Sequence, residues 1–199
     1  MTGKPQSIRR HPAREDRDFI YAPPGGPVDI LYYDDEILAV NKPAGLLSVP
    51  GKDAAHKDCL EARVQMQFPG ARIVHRLDMA TSGVMVFARN KAAQRHLGLQ
   101  FEKRYTEKTY EARIWGRPQG NTGHINLPII TDWPNRPRQK IDFETGRTAQ
   151  TDWEIIETTL DTTRVRLYPK TGRSHQLRLH MLCLGHPIIG DRLYAHDSA

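Results

Sequence analysis

The chain has 199 residues, with 29 Lys and Arg against 23 Asp and Glu, a net charge of +6. That length suits one domain with a core of ordinary size, and the basic excess favours a polyanion partner, nucleic acid ahead of an anionic membrane. No apolar run is long enough to span a bilayer and the amino terminus lacks the apolar stretch of a signal peptide, so the expected location is the cytoplasm. Two distant cysteines, Cys59 and Cys183, argue against a disulfide framework, and nine histidines without His-Glu-x-x-His or Cys-x-x-Cys spacing argue against a metal site.

In chain order, residues 1–27 are polar, basic and rich in Pro and Gly, and read as a flexible tail. Residues 30–33 and 37–40, around Asp34-Asp35, predict a hairpin, which Asn41-Lys42-Pro43-Ala44-Gly45 ends. Leu60, Val64 and Phe68 recur at the helical interval and predict a helix over about 57–67. Ile73-Val74 begins a strand and 84–87 form another. A second helix is expected over 91–103, with Ala93, Leu97 and Phe101 on one face. Strand-type runs then dominate at 109–115, 125–130, 151–156 and 163–168, while the charged, proline-bearing stretch 136–147 reads as an extended loop. Ser174 suits the N-cap of a last helix and Gly185 the position just past its end. The sum predicts an α+β fold with a largely antiparallel sheet flanked by helices.

Three segments carry candidate chemistry. His75-Arg76-Leu77-Asp78-Met79-Ala80-Thr81-Ser82-Gly83 delivers one carboxylate at the end of a strand and turns sharply into Val84. On local pattern alone it reads first as a surface turn, where Asp, Ser and Gly are at home. Lys170-Thr171-Gly172-Arg173-Ser174-His175-Gln176 ends a strand, allows a tight turn at Gly172 and places Arg173 beside a helix start, where anions are favoured. Lys108-Thr109-Tyr110-Glu111-Ala112 puts a tyrosine on a strand among charges, the pattern of an ordinary strand aromatic when taken alone.

Together, in order and well spaced, these segments resemble the RluA-type branch of the pseudouridine synthases, which act on ribosomal and transfer RNA. Asn41-Lys42-Pro43-Ala44-Gly45 and His186-Pro187-Ile188-Ile189-Gly190-Asp191 match as well, so the resemblance runs from Val28 to Tyr194. Asp132-Trp133-Pro134-Asn135-Arg136-Pro137, with Gln139-Lys140, is similar to members of dual specificity, acting on 23S rRNA and the anticodon stem-loop of tRNAs. The resemblance implies a pseudouridine synthase fold over 28–199 with RNA-gripping loops. It implies no cofactor and no metal, because uridine becomes pseudouridine without oxidation or hydrolysis: N1–C1′ breaks, the uracil turns, and C5 bonds C1′.

The resemblance also assigns roles. Asp78 supplies the ionised carboxylate, attacking C1′ or taking the C2′ proton, two routes the sequence leaves open. Arg173 pairs with Asp78 and keeps it ionised in a dry site. Tyr110 stacks on the uracil and is a candidate for removing the C5 proton. The target uridine must leave its stack, and Arg76 fills the space or holds the neighbouring backbone. Arg136, Arg138, Lys140, Arg147 and Arg178 are expected to touch RNA, chiefly phosphates. His75, His175 and His180 read as structural hydrogen-bonders. By the same resemblance, the further strands with which the family usually continues after Tyr194 and the S4-type domain that precedes the fold in some relatives are expected to be missing here. Three rivals stand beside this reading: an RNA-binding protein without turnover, a hydrolase using Ser82 or Ser174, and a basic ribosome-associated structural protein. The hydrolase lacks a Gly-x-Ser-x-Gly elbow.

Overall fold

The computed structural model describes residues 20–195; most of the expected leading tail lies outside them. The described chain divides into two compact units, one of Ile20–Thr109 with Lys170–His175, the other of Tyr110–Pro169 with residues 176–195.

The first unit is built on a four-stranded antiparallel sheet. Asp29–Tyr33 (β1) pairs with Ile37–Lys42 (β2) across the Asp34-Asp35 turn, where the Asp34 carboxylate accepts from the backbone N–H groups of Glu36 and Ile37. Leu60–Gln67 (α1) follows, then Arg72–Ile73 (β3), Gly83–Ala88 (β4) and Lys91–Lys103 (α2). The strand order is β1-β2-β4-β3. Alternation decides the core: Leu38 and Val40 of β2 and Met85 and Phe87 of β4 point the same way and meet Leu46, Leu60, Val64 and Ala71. Full burial of side chains of this size stabilises by about 1.5–3 kcal/mol each. The expected helix over 57–67 begins at Leu60, because Cys59 is extended and caps it, its sulfur accepting from Ala62 N–H. The helix expected over 91–103 has those bounds, capped by Asn90 at its start. It ends on Arg104 in a left-handed conformation, with Tyr105 N–H on the Gln100 carbonyl.

The second unit carries Tyr110–Trp115 (β5), Thr122–Asn126 (β6), Ile129–Thr131 (β7), Gln139–Ile141 (β8), Gln150–Thr158 (β9), Thr162–Pro169 (β10) and Gln176–Cys183 (α3). Its main sheet is antiparallel in the order β5-β10-β9-β6, and β7 pairs with β8 as a separate ribbon. The single strand expected over 125–130 is therefore two. Pairing with β9 ends at Asn126 opposite Gln150, but the same register runs on before β9, with Leu127 N–H on the Ala149 carbonyl and Ile129 and Arg147 exchanging backbone bonds, while β7 takes a further partner. That partner, β8, lies inside the stretch expected to be loop.

Met181 of α3 joins Ile114, Ile125, Trp153, Val165 and Leu167 in the core. His186–Ile189 runs along the outer edge of β5, with Trp115 N–H on the Pro187 carbonyl and Ile189 N–H on that of Arg113. The helix ends as expected at Gly185, at φ +89: Gly185 N–H bonds the Leu182 carbonyl and His186 N–H that of Met181. Its start differs. Helix begins at Gln176, because His175 is left-handed at φ +54 and separates Ser174 from the first turn. The left-handed residue of this segment is thus His175, not Gly172.

Candidate active site

Asp78 sits in the connection between β3 and β4, and its neighbours on both sides are tied by their backbones. Ser48 Oγ donates to the Leu77 carbonyl at 2.6 Å and accepts from Leu77 N–H at 3.2 Å. The Met79 carbonyl accepts from Gly45 N–H at 2.8 Å and from Lys42 Nζ at 3.0 Å. Thr81 N–H closes a turn on the Asp78 carbonyl at 3.0 Å, and Gly83, at φ +125, then carries the chain into β4 in a conformation side chains rarely adopt. The Asp78 side chain keeps 31% exposure. A carboxylate on a backbone fixed at both flanks can address one position repeatedly.

Lys42 explains much of that fixity, although no motif marks it as a site residue. It stands two residues beyond Val40 and four beyond Leu38, so strand alternation sends it into the core with them, fully buried. Its partner across the sheet is Gly83, which offers no side chain to fill the space. The amine satisfies itself on three carbonyls, those of Pro43, Leu46 and Met79, at 2.9, 2.7 and 3.0 Å. Burial pushes its pKa down to about 8, opposed by the negative charge of Asp78. The available signal was the alternation: a lysine in register with buried Leu and Val needs buried acceptors.

Two histidines of the motif segments have distinct surroundings. His75 stacks on Phe101 at 4.5 Å between centroids, and its Nε2 accepts from Val86 N–H at 3.0 Å. Burial, with Lys108 nearby, lowers its pKa to about 4, so it is a neutral acceptor and a structural hydrogen-bonder. His175 places Nε2 4.0 Å from Asp78 Oδ2, with its side chain 13% exposed. Arg173 lies two residues earlier, partly buried, and Arg76 is exposed two residues before Asp78. The backbone of this segment is held upstream by Lys108, whose Nζ donates to the carbonyl of buried Thr171 at 3.4 Å.

The remaining candidates belong to the second unit. Tyr110 opens β5 opposite Leu167 of β10 and packs against the apolar core there. Arg136 lies over the Trp133 ring at 4.5 Å, with that ring largely exposed. Lys140 pairs with Asp142 at 3.3 Å. Asp142 itself is held down to about 2, chiefly by the Thr145 backbone N–H and hydroxyl. Arg147 is exposed and pairs through its backbone with Ile129, while Arg138 is partly covered. Arg178 is different in kind. Its guanidinium meets the Asp191 carboxylate at 2.6 and 2.7 Å and lies over the Tyr194 ring, with Asp191 almost wholly buried. That arrangement suits a clamp on the 191–194 turn. His180 is likewise structural, buried between the Thr151 hydroxyl and the Leu127 carbonyl. Among the described residues no helix is long and apolar enough to cross a membrane.

Comparison with known proteins places this geometry. The family model described as RNA pseudouridylate synthase matches residues 36–182. The dual-specificity RNA pseudouridine synthase RluA of Escherichia coli K12 is 58% identical over 181 residues, covering 90% of this chain and 83% of the relative. Its namesake in Vibrio vulnificus is 52% identical over 185 residues, covering 90% and 74%. Among solved structures, human RNA pseudouridylate synthase domain containing 1 superposes with a TM-score of 0.75 at 32% identity, covering 89% of this chain and 74% of that one. Human RNA pseudouridylate synthase domain containing 4 gives 0.70 at 28%, covering 85% and 69%. Motifs, fold and relatives agree, and the chain belongs to the RNA pseudouridylate synthase family, isomerases that convert uridine to pseudouridine in RNA.

Proposed function

We propose that this RNA pseudouridine synthase uses Asp78 as its essential carboxylate and modifies both a uridine of 23S rRNA and one in the anticodon stem-loop of tRNAs, in the cytoplasm. The observation that carries the substrate reading is the 58% identity, over 90% of the chain, to a relative named for dual specificity. The Asp132–Pro137 segment supplies the two RNA classes by resemblance. For Asp78, support comes from the double anchoring of its flanks and from its partial exposure. Attack on C1′ gives a sugar ester that the turned uracil later displaces through C5; removal of the C2′ proton gives a glycal instead. Either route needs an ionised carboxylate, which Arg173 supports by charge. Tyr110 stacks on uracil and serves the loss of the C5 proton, a role resting on its motif.

Arg76 takes the place of the extruded nucleotide, and Arg136, Arg138, Lys140 and Arg147 contact phosphates without reading sequence. Arg178, with its buried carboxylate partner, serves RNA indirectly by bracing the 191–194 turn. Loop shape, not base sequence alone, then selects the target. The test is pseudouridine mapping at single-nucleotide resolution in 23S rRNA and tRNA transcripts treated with the purified chain. Modification of one site in each RNA class is expected; modification confined to one class would refute dual specificity.

A further inference from the structure

We propose that His175 is a positioning residue for Asp78, donating from Nε2 to one carboxylate oxygen so that the other is presented to the ribose. The proposal rests on the reading of Asp78 given above. Its first support is the approach of Nε2 to Asp78 Oδ2, 4.0 Å, by an imidazole that is 13% exposed. That is just beyond hydrogen-bond reach, and active-site hydrogen bonds are commonly long before substrate arrives and tighten afterwards. Either the Nε2–H tautomer or the imidazolium can make this donation.

The second support is the backbone. Among the described residues only Arg104 and His175 are non-glycines at positive φ. Arg104 has a local reason, since it closes α2 with Tyr105 N–H on the Gln100 carbonyl. His175 closes no helix; it precedes α3, where an extended cap such as Ser174 would serve. A side chain held in this sparsely populated region is a mark of a constraint imposed by the surroundings, and such residues gather at functional sites. Here the constraint coincides with the approach to Asp78.

The other charged and titratable groups nearby have their own work. Lys42 is spent on three carbonyls, Lys108 on Thr171, and His75 accepts from Val86 N–H. Arg173 supplies charge to the carboxylate in the proposed mechanism. A donor approaching from a second direction adds a further constraint on the rotation of the carboxyl plane.

Three variants test this by tritium release from C5-tritiated tRNA transcript: His175→Asn, His175→Gln and Asp78→Asn. Asparagine tolerates the left-handed backbone but is too short to reach; glutamine carries an N–H about as far as Nε2. His175→Asn is expected to lower kcat about 10- to 100-fold, the usual effect of a misplaced reacting group. KM for RNA should stay within about threefold, the thermal midpoint should be unchanged, and His175→Gln should recover a substantial part of kcat. Wild-type kcat in His175→Asn, with Asp78→Asn inactive, overturns the proposal. Equal loss in both His175 variants, accompanied by a lowered thermal midpoint, assigns a structural role and overturns it too. An active Asp78→Asn instead overturns the reading on which it rests.

Discussion

The connection from Val74 to Ser82 and the stretch from Ile129 to Arg147 are both polar excursions from a sheet, but they are held in opposite ways. In the first, the backbone on either side of Asp78 is tied to groups of the interior: Lys42, fully buried, and Ser48, 4% exposed. In the second, the charged side chains rest on one another at the surface: Arg136 on Trp133, Lys140 on Asp142, Asp142 on Thr145. The difference suits the tasks proposed for each. Bond rearrangement fails when a reacting atom is displaced by an ångström, whereas attraction between a guanidinium and a phosphate decays gently with distance and tolerates motion. In the proposed function the buried anchors around Asp78 serve the residue whose position counts most.

The contrast can be broken most severely at Lys42. Lys42→Ala leaves three carbonyls without their donor, that of Leu46 buried, and opens a cavity where the fully buried side chain stood, and we expect a loss of about 3 kcal/mol in urea unfolding. A variant as stable as the wild type would show that those carbonyls find water, and that the anchor is dispensable.

A smaller effect is expected at His75. Its pKa is about 4 in the folded chain against 6.5 for an ordinary histidine, so between these values the unfolded chain binds more protons. Stability is therefore complete above pH 6.5 and falls as pH drops toward 4, by about 2 kcal/mol at pH 5. His75→Gln keeps an acceptor for Val86 N–H and does not titrate, so its urea midpoint should lack this component. Parallel pH dependence in the two chains would place the acid sensitivity elsewhere.

The exposed stretch should yield least. Replacing Arg136 and Arg147 together by Ala is expected to weaken RNA binding about three- to tenfold and evenly across loop sequences. The slope of log K against log salt should fall by up to about 2, with kcat at saturation unchanged. A loss confined to one RNA would make these residues readers of sequence rather than phosphate contacts.

The sequence displayed the periodic parts of this molecule well. The second helix has its expected bounds, 91–103, because Ala93, Leu97 and Phe101 recur along one face. Strands β2, β4, β9 and β10 follow from alternation between buried and exposed positions. Misreadings occur where pairing partners, not propensity, decide. Gln139–Ile141 has no apolar alternation, yet it forms β8 because β7 pairs with it. The late start of α3 was hidden because a left-handed histidine leaves no mark in composition.

At the site, the residues proposed for the chemistry are legible as motif members, whereas their supports are not. Asp78 stands out beside Thr-Ser-Gly. Lys42, thirty-six positions earlier, acquires its meaning only when β2 and β4 pair and bring its amine to the Met79 carbonyl. The approach of His175 to Asp78 spans nearly a hundred residues and is likewise a product of folding.

The measurement that bears most directly on the account is single-turnover release of tritium from C5-tritiated uridine in tRNA and 23S rRNA transcripts, comparing the wild type with Asp78→Asn at equal thermal midpoint. Tritium leaves C5 when that carbon takes over the bond to C1′, so release reports the rearrangement itself. Release by the wild type is expected, and at least about a thousandfold less by Asp78→Asn, with RNA binding retained. Comparable release by both chains would contradict it and remove Asp78 from the chemistry.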